Sequence, residues 1–330
     1  MKTFNAMVVS ENTDGSFSRA IQKRTIDDLP DGDVLVRVKY SSLNYKDALS
    51  ASGNRGVTKK YPHTPGIDAA GVVETSADSR FSPGDEVIVT SYDLGMDTAG
   101  GFGEYIRVPA GWVIPLPKGF SLKESMMYGT AGLTAAMSVD ALIDGGITPD
   151  RGEVLVTGAS GGVGSIAVSI LHKLGYSVAG VSGKTDESDY LKSLGVGTVL
   201  SIEEATDTSG RPMLKPRWAG CIDTVGGDIM STAIKSVKPF GVLVCCGNAA
   251  GPNLDITVYP FILRALVIVG IDSQDFPMDK RLKAWNKLAS DWKLDGIQQM
   301  VQEAPLSDVD GIINEMLAGR HKGRTVISLG

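Results

Sequence analysis

The spacing of apolar positions changes character twice along this chain. Up to about residue 125 the apolar residues come in short runs broken by Gly and Pro. Ala6 to Val9 reads as a strand, and Asp33 to Tyr40 alternates with period two after an Asp31-Gly32 turn, as a half-buried strand does. Gly71 to Glu74, Val87 to Val89 behind a Pro83-Gly84-Asp85 turn, and Gly100 to Val108 continue the series, predicting an antiparallel, barrel-like domain. Near Ser121 helical spacing takes over: Ser121-Leu-Lys-Glu124 is a capping box that opens a helix to about Tyr128, and a second helix runs from Gly132 to Leu142. From residue 153 strands alternate with helices. Strands are predicted at 154–156, 176–181, 221–225, 242–246 and 266–270, with helices after the first and at 188–194 and 228–236. That alternation defines an α/β, doubly wound parallel sheet. Helices at 279–294 and 309–318 then lead to a closing strand at 323–329, predicted to return to the first domain. The expected division is 1–125 with 275–330 for the barrel domain and 126–274 for the parallel-sheet domain.

The first parallel strand runs into Val156-Thr157-Gly158-Ala159-Ser160-Gly161-Gly162-Val163-Gly164, and a helix starts at once. Glycines at 158, 161 and 164 suit a dinucleotide turn, where they permit the bend, the approach of backbone to a pyrophosphate and close helix–strand packing. The amides opening the helix, with the dipole behind them, favour an anion. At the end of the second strand NAD sites usually carry an acidic residue for the ribose 2′-hydroxyl. This chain instead reads Val181-Ser182-Gly183-Lys184-Thr185, and Ser182 with Lys184 suits a 2′-phosphate. Asp186 and Glu187 follow immediately and pull the other way. NADP(H) is the expected cofactor.

Composition narrows the class without choosing the chemistry. At 330 residues, 42% hydrophobic and 21% charged, the chain can bury two cores. A net charge of −6 without a basic block gives no footprint for nucleic acid. No apolar run reaches membrane-spanning length, and the first residues lack a signal-peptide core. Cys221, Cys245 and Cys246 form no disulfide framework, which fits a reducing cytoplasm.

Several motifs together resemble the medium-chain dehydrogenase/reductase superfamily, with a GroES-like barrel domain before a Rossmann domain. Pro65-Gly-Ile67-Asp68-Ala-Ala-Gly71 lies where zinc alcohol dehydrogenases carry Gly-His-Glu, and Ser41-Ser-Leu-Asn44-Tyr45-Lys-Asp47 where they carry a zinc-binding cysteine. Ile67 and Asn44 occupy the ligand positions, so the resemblance implies a zinc-free member. Together with the glycine turn, Trp218 to Gly226 and Tyr259-Pro-Phe-Ile-Leu-Arg264, these motifs resemble the quinone oxidoreductase branch and its YhdH/YhfP group, which includes NADPH-dependent acrylyl-CoA reductases.

The resemblance implies hydride transfer to the activated C=C bond of an enone or of acryloyl-CoA; quinone reduction is the enzymatic alternative and an NADPH-binding redox sensor the non-enzymatic one. Without zinc the protein must supply a donor near the carbonyl and a proton source. Tyr45 is the candidate donor, Asn44 the residue orienting substrate or nicotinamide ribose, and Asp68 the group holding Tyr45 or Lys46. Cofactor contacts carried over by position are Tyr45, Thr130, Ser160, Gly161, Gly162, Val163, Ser182, Gly183, Lys184, Gly247, Asn248, Ile271, Asp272, Ser273 and Arg324. The apolar edge after Tyr259 implies a homodimer.

Overall fold

A computed structural model of the chain describes residues 2–183 and 187–330. They fall into two compact units: 1–130 with 274–291 and 295–330, and 131–273 with 292–294.

The first unit is built on a seven-stranded sheet. Its spatial order is Val301–Pro305, Arg324–Ser328, Val34–Leu43, Asp68–Ser76, Glu86–Thr90 and Val113–Pro115, with Tyr105–Val108 also pairing Val34–Leu43. All pairs are antiparallel except Val301–Pro305 against Arg324–Ser328. The closing strand therefore does return, pairing Thr325 with Leu43 and Ser328 with Tyr40. Val36, Val38, Ala69, Val89, Ile106 and Ile327 meet on the inner face. A separate ribbon pairs Thr3–Glu11 with Phe17–Thr25. The second of these strands escapes sequence reading because Phe17 to Thr25 is mostly polar and exposed, so it shows no apolar alternation.

The second unit is a six-stranded, all-parallel sheet in the order Val196–Leu200, Val178–Val181, Val154–Thr157, Trp218–Asp223, Val237–Cys245 and Val267–Gly270. The chain winds outward one way from Val154–Thr157 and then the other way from Trp218–Asp223. Loops at the carboxyl ends of those two strands therefore diverge and leave a crevice. Side chains tie that point: Thr157 Oγ1 donates to Asp223 Oδ1 at 2.7 Å, and Thr224 Oγ1 donates to the Thr157 carbonyl at 2.9 Å. Val196–Leu200 and Val267–Gly270 are the edges.

The two helices predicted around residue 130 are one element, Leu122–Asp144, broken by a kink at Gly129 (φ 52°, ψ −154°). Ser121 caps it as the sequence predicts: its amide donates to Glu124 Oε2 at 2.9 Å, and the Glu124 amide returns to Ser121 Oγ at 3.2 Å. The helix expected over 279–294 stops at Ala289. No helix is long and apolar enough to cross a membrane among the described residues.

Candidate functional site

In the first unit the site grows from a helix start. Asn44 (φ −125°, ψ 160°) is the N-cap of the short helix Tyr45–Ala51. The Asn44 amide donates to Asp47 Oδ2 at 2.7 Å, the reciprocal half of a capping box. The other Asp47 oxygen accepts from the amides of Ile67 (2.8 Å) and Gly66 (3.2 Å). One buried carboxylate thus fixes the helix start against the loop leading to Asp68. Burial, and then the neighbouring Asp68 charge, push the Asp47 carboxyl up to about 7, against the pull of those donors. Asp47 is a residue that motif comparison alone missed; the Asn-x-x-Asp capping spacing was the signal for it.

Asp68 is wholly buried and receives donors from every side. Oδ1 accepts Thr130 Oγ1 at 2.6 Å, and the Thr130 amide sits 3.0 Å from both oxygens. Oδ2 accepts Ser42 Oγ at 2.5 Å and Asn44 Nδ2 at 2.8 Å. Arg324 Nη2 lies 3.9 Å away and donates to Ser42 Oγ at 2.8 Å. The rest of that guanidinium is also committed: Nε donates to the Met127 carbonyl, and Nη1 to the Leu43 carbonyl and Asn44 Oδ1. Gly129 makes this crowding possible, since a Cβ there would fall 2.4 Å from Asp68 Oδ2 and 2.8 Å from Arg324 Nη2.

Three expectations change on this geometry. Asp68 holds Asn44, Ser42 and Thr130, whereas Lys46 Nζ donates to Gln274 Oε1 at 2.9 Å. Arg324 is no partner for cofactor phosphates, because it is buried and its donors already meet protein acceptors. The Asn44 carboxamide is engaged by protein: it donates to Asp68 and the Ser42 carbonyl and accepts from Arg324. Tyr45 alone of the motif is well exposed, at 47%, and its hydroxyl has no hydrogen bond among the described residues.

The wall beside this network carries strain. Ser91 and Tyr92 are consecutive non-glycine residues at φ 64° and 52°, a conformation that costs on the order of 1–3 kcal/mol at each. It is held by the Ser91 amide on the Ile67 carbonyl (2.7 Å), Ser91 Oγ paired with Thr130 Oγ1 (2.8 Å), and the Tyr92 amide on the Gln274 carbonyl (3.2 Å). Buried Arg281 completes the clamp, donating to the Thr90 and Gln274 carbonyls with its guanidinium 4.3 Å from the Tyr92 ring centroid.

In the second unit the glycine turn has the shape its sequence requires. Gly158 lies at φ 59°, where a Cβ would meet Thr224 Oγ1 at 2.3 Å, and a Cβ on Gly164 would lie 2.2 Å from the Gly158 carbonyl oxygen. Gly161 caps the helix Gly162–Lys173, so the amides of Gly162, Val163 and Gly164 lack acceptors within that helix. This open, glycine-lined cradle fits a diphosphate. Ser160 stands in the turn with Ser182 Oγ 3.2 Å from its hydroxyl. Lys184 lies outside the described residues. Gly247, Asn248, Ile271 and Asp272 line one cavity of about 570 Å³ with Cys245, Cys246 and Gly270; Ser273 is not among its lining residues. Burial pushes the Cys246 thiol up to about 12.

The residues at the zinc-ligand positions do not fit a metal. Ile67 offers no lone pair, the Asn44 carboxamide nitrogen is a donor, and the Asp68 oxygens are filled by hydroxyl, amide and carboxamide donors.

Residues 30–118 match the family described as alcohol dehydrogenase GroES-like domain, and residues 162–290 the zinc-binding dehydrogenase family. The chain belongs to the medium-chain dehydrogenase/reductase family, within its acrylyl-CoA reductase and quinone oxidoreductase-like group. It is 43% identical to the acrylyl-CoA reductase AcuI of Ruegeria pomeroyi over 99% of both chains. The Salmonella enterica yhdH oxidoreductase, solved in complex with NADP, superposes with a TM-score of 0.95 at 42% identity, covering 99% of this chain and 100% of that one. Bacillus subtilis yhfP, solved with NAD bound, gives 0.96 at 42% identity over the whole of both chains.

Two outcomes test this geometry. Arg324→Met removes the cation beside Asp68 and leaves the Met127 and Leu43 carbonyls without their donor, and is expected to cost roughly 3–5 kcal/mol, read as a lowered denaturation midpoint. A midpoint equal to wild type would show that the guanidinium is not the strut described. Asp47 binds its proton more tightly folded (about 7) than unfolded (3.8), so its contribution to stability is full below the unfolded value and lost as pH rises through about 7. Between those values wild type should lose up to about 1.4 kcal/mol per pH unit relative to Asp47→Asn. Parallel stability–pH curves for the two proteins would contradict the shift.

Proposed function

We propose that this protein is an NADPH-dependent reductase of the C=C bond of an α,β-unsaturated carbonyl or thioester, with acryloyl-CoA as the leading acceptor. The observation that carries the reading is the replacement at the former metal position: a saturated, buried Asp68–Asn44–Arg324 network holds one exposed phenol, Tyr45, at the start of a capped helix. The bound reduced nicotinamide supplies a hydride. Such transfer to the β-carbon leaves negative charge on the substrate carbonyl oxygen, which needs a hydrogen-bond donor but no strong Lewis acid. Tyr45 supplies that donor and a proton for the α-carbon. The full-length similarity to AcuI and to the NADP complex of yhdH supports this substrate class and cofactor.

On this reading the amides of Gly162 and Val163 hold the diphosphate, with Gly161 bringing the turn close to it while its own amide donates to the Gly158 carbonyl at 3.0 Å. Ser160, Ser182, Gly183 and Lys184 serve the adenosine end, and Gly247, Asn248, Ile271, Asp272 and Ser273 serve the nicotinamide end. Asn44, Asp68 and Thr130 act by positioning. The three free thiols are consistent with a cytoplasmic setting.

A second copy of this chain is the proposed partner. The strand Val267–Gly270 is an unpaired sheet edge, and beside it in sequence Val258 (62% exposed), Ile262 (70%), Leu263 (64%) and Val267 (51%) leave an apolar surface in water.

Loss of NADPH absorbance with acryloyl-CoA tests the activity. Tyr45→Phe should lower kcat by about a hundredfold, the scale of a positioned acid, with NADPH affinity unchanged. Turnover of benzoquinone alone would replace this reading with quinone reduction, and NADPH binding without turnover of either acceptor would favour a sensor. In light scattering the protein should run as a dimer and a Leu263→Asp, Val267→Lys variant as a monomer; a monomeric wild type at micromolar concentration would refute the dimer.

A further inference from the structure

The chain carries no acidic residue at the end of the strand Val178–Val181, but the fold brings one back. Glu187, at the N-cap of the helix Ser188–Ser193, is 6% exposed, and its Oε2 accepts Ser182 Oγ at 2.8 Å. Ser182 Oγ lies in turn 3.2 Å from Ser160 Oγ in the glycine turn, and both serines are at least nine-tenths buried. A buried carboxylate, two hydroxyls and the turn thus converge where parallel-sheet nucleotide domains read the adenosine ribose.

The chemistry of that group discriminates. A carboxylate accepts a strong hydrogen bond from a ribose 2′-hydroxyl, whereas a 2′-phosphate would bring a second anion against it in a site shielded from water. Two serines alone would serve either nucleotide. Lys184 stands two positions and Glu187 five positions after Ser182 in the sequence, so charges of opposite sign follow this serine along the chain.

Building on the nucleotide-binding reading above, we propose that Glu187 sets the choice of dinucleotide. It accepts the 2′-hydroxyl of NADH and opposes the 2′-phosphate of NADPH, so this chain takes both cofactors.

The test is equilibrium titration of nicotinamide fluorescence with NADPH and with NADH, in the full chain without acceptor. The probes 2′,5′-ADP and 5′-ADP, used as displacing ligands, isolate the adenosine half from any hydride chemistry. Wild type should bind both dinucleotides with affinities within about tenfold of each other, a difference of no more than about 1.4 kcal/mol. Glu187→Gln keeps the shape and removes the charge; it should raise the preference for NADPH, and for 2′,5′-ADP over 5′-ADP, by about tenfold or more. Glu187→Ser should move both ratios in the same direction and covers the case of a poorly folding Gln variant. Ratios that stay put, or shift toward NADH, in the variants overturn the role of Glu187 while leaving the nucleotide reading intact. Binding of neither dinucleotide by wild type overturns both.

Discussion

A carboxylate with no access to water has to be met by donors, and around Asp68 that requirement shapes the whole first unit. Isolated in a dry interior the charge would be untenable. Here it is met by Ser42 from one strand, Asn44 at a helix start, Thr130 just past a kink, and the more distant guanidinium of Arg324. These groups come from three separate stretches of chain, 42–44, 130 and 324, so satisfying one acid brings them into register with the strand that carries it. Asp47 repeats the device one step away, joining the helix start to the Gly66–Ile67 loop. The result is a wall whose polar groups face one another and whose exposed member is a phenol.

The parallel-sheet unit uses the same device on a smaller scale. Asp223 accepts from Thr157 Oγ1 and from the Gly226 amide, fixing the ends of the two strands between which the winding direction reverses. Burial raises its carboxyl pKa, while those donors oppose the rise. The glycine turn is therefore anchored by side-chain bonds at its base, and its open amides are presented on a rigid support.

Much of this was legible in the sequence because it follows local rules. Period-two runs, the Ser121 to Glu124 capping box and the glycine turn each leave a mark within ten residues. What stayed hidden depends on pairings across long stretches of chain. Arg324 after Gly323 looks like a phosphate contact until the strand pairing buries it; its bond to Asn44 spans 280 positions. Asn44 looks like a substrate contact for the same reason. Glu187 was legible as a nearby acid but not as a group folded back on Ser182, since that depends on how the chain enters a six-residue helix. The polar strand Phe17–Thr25 has no apolar period to read and is held by its ladder with Thr3–Glu11.

The separation between Asn44 and Arg324 also sets an order of events during synthesis. Residues 131–273 are contiguous, and apart from the short segment 292–294 they make up the parallel-sheet unit, so most of that unit emerges from the ribosome before the other can close. The first 130 residues must meanwhile wait without the guanidinium beside Asp68 and without the strand Arg324–Ser328 that covers one side of Val34–Leu43. For that interval the nascent chain exposes an open sheet edge and an acid met by hydrogen bonds but by no cation, a state in which binding by a chaperone would protect it. The wall around Asp68 is thus among the last parts of the molecule to exist.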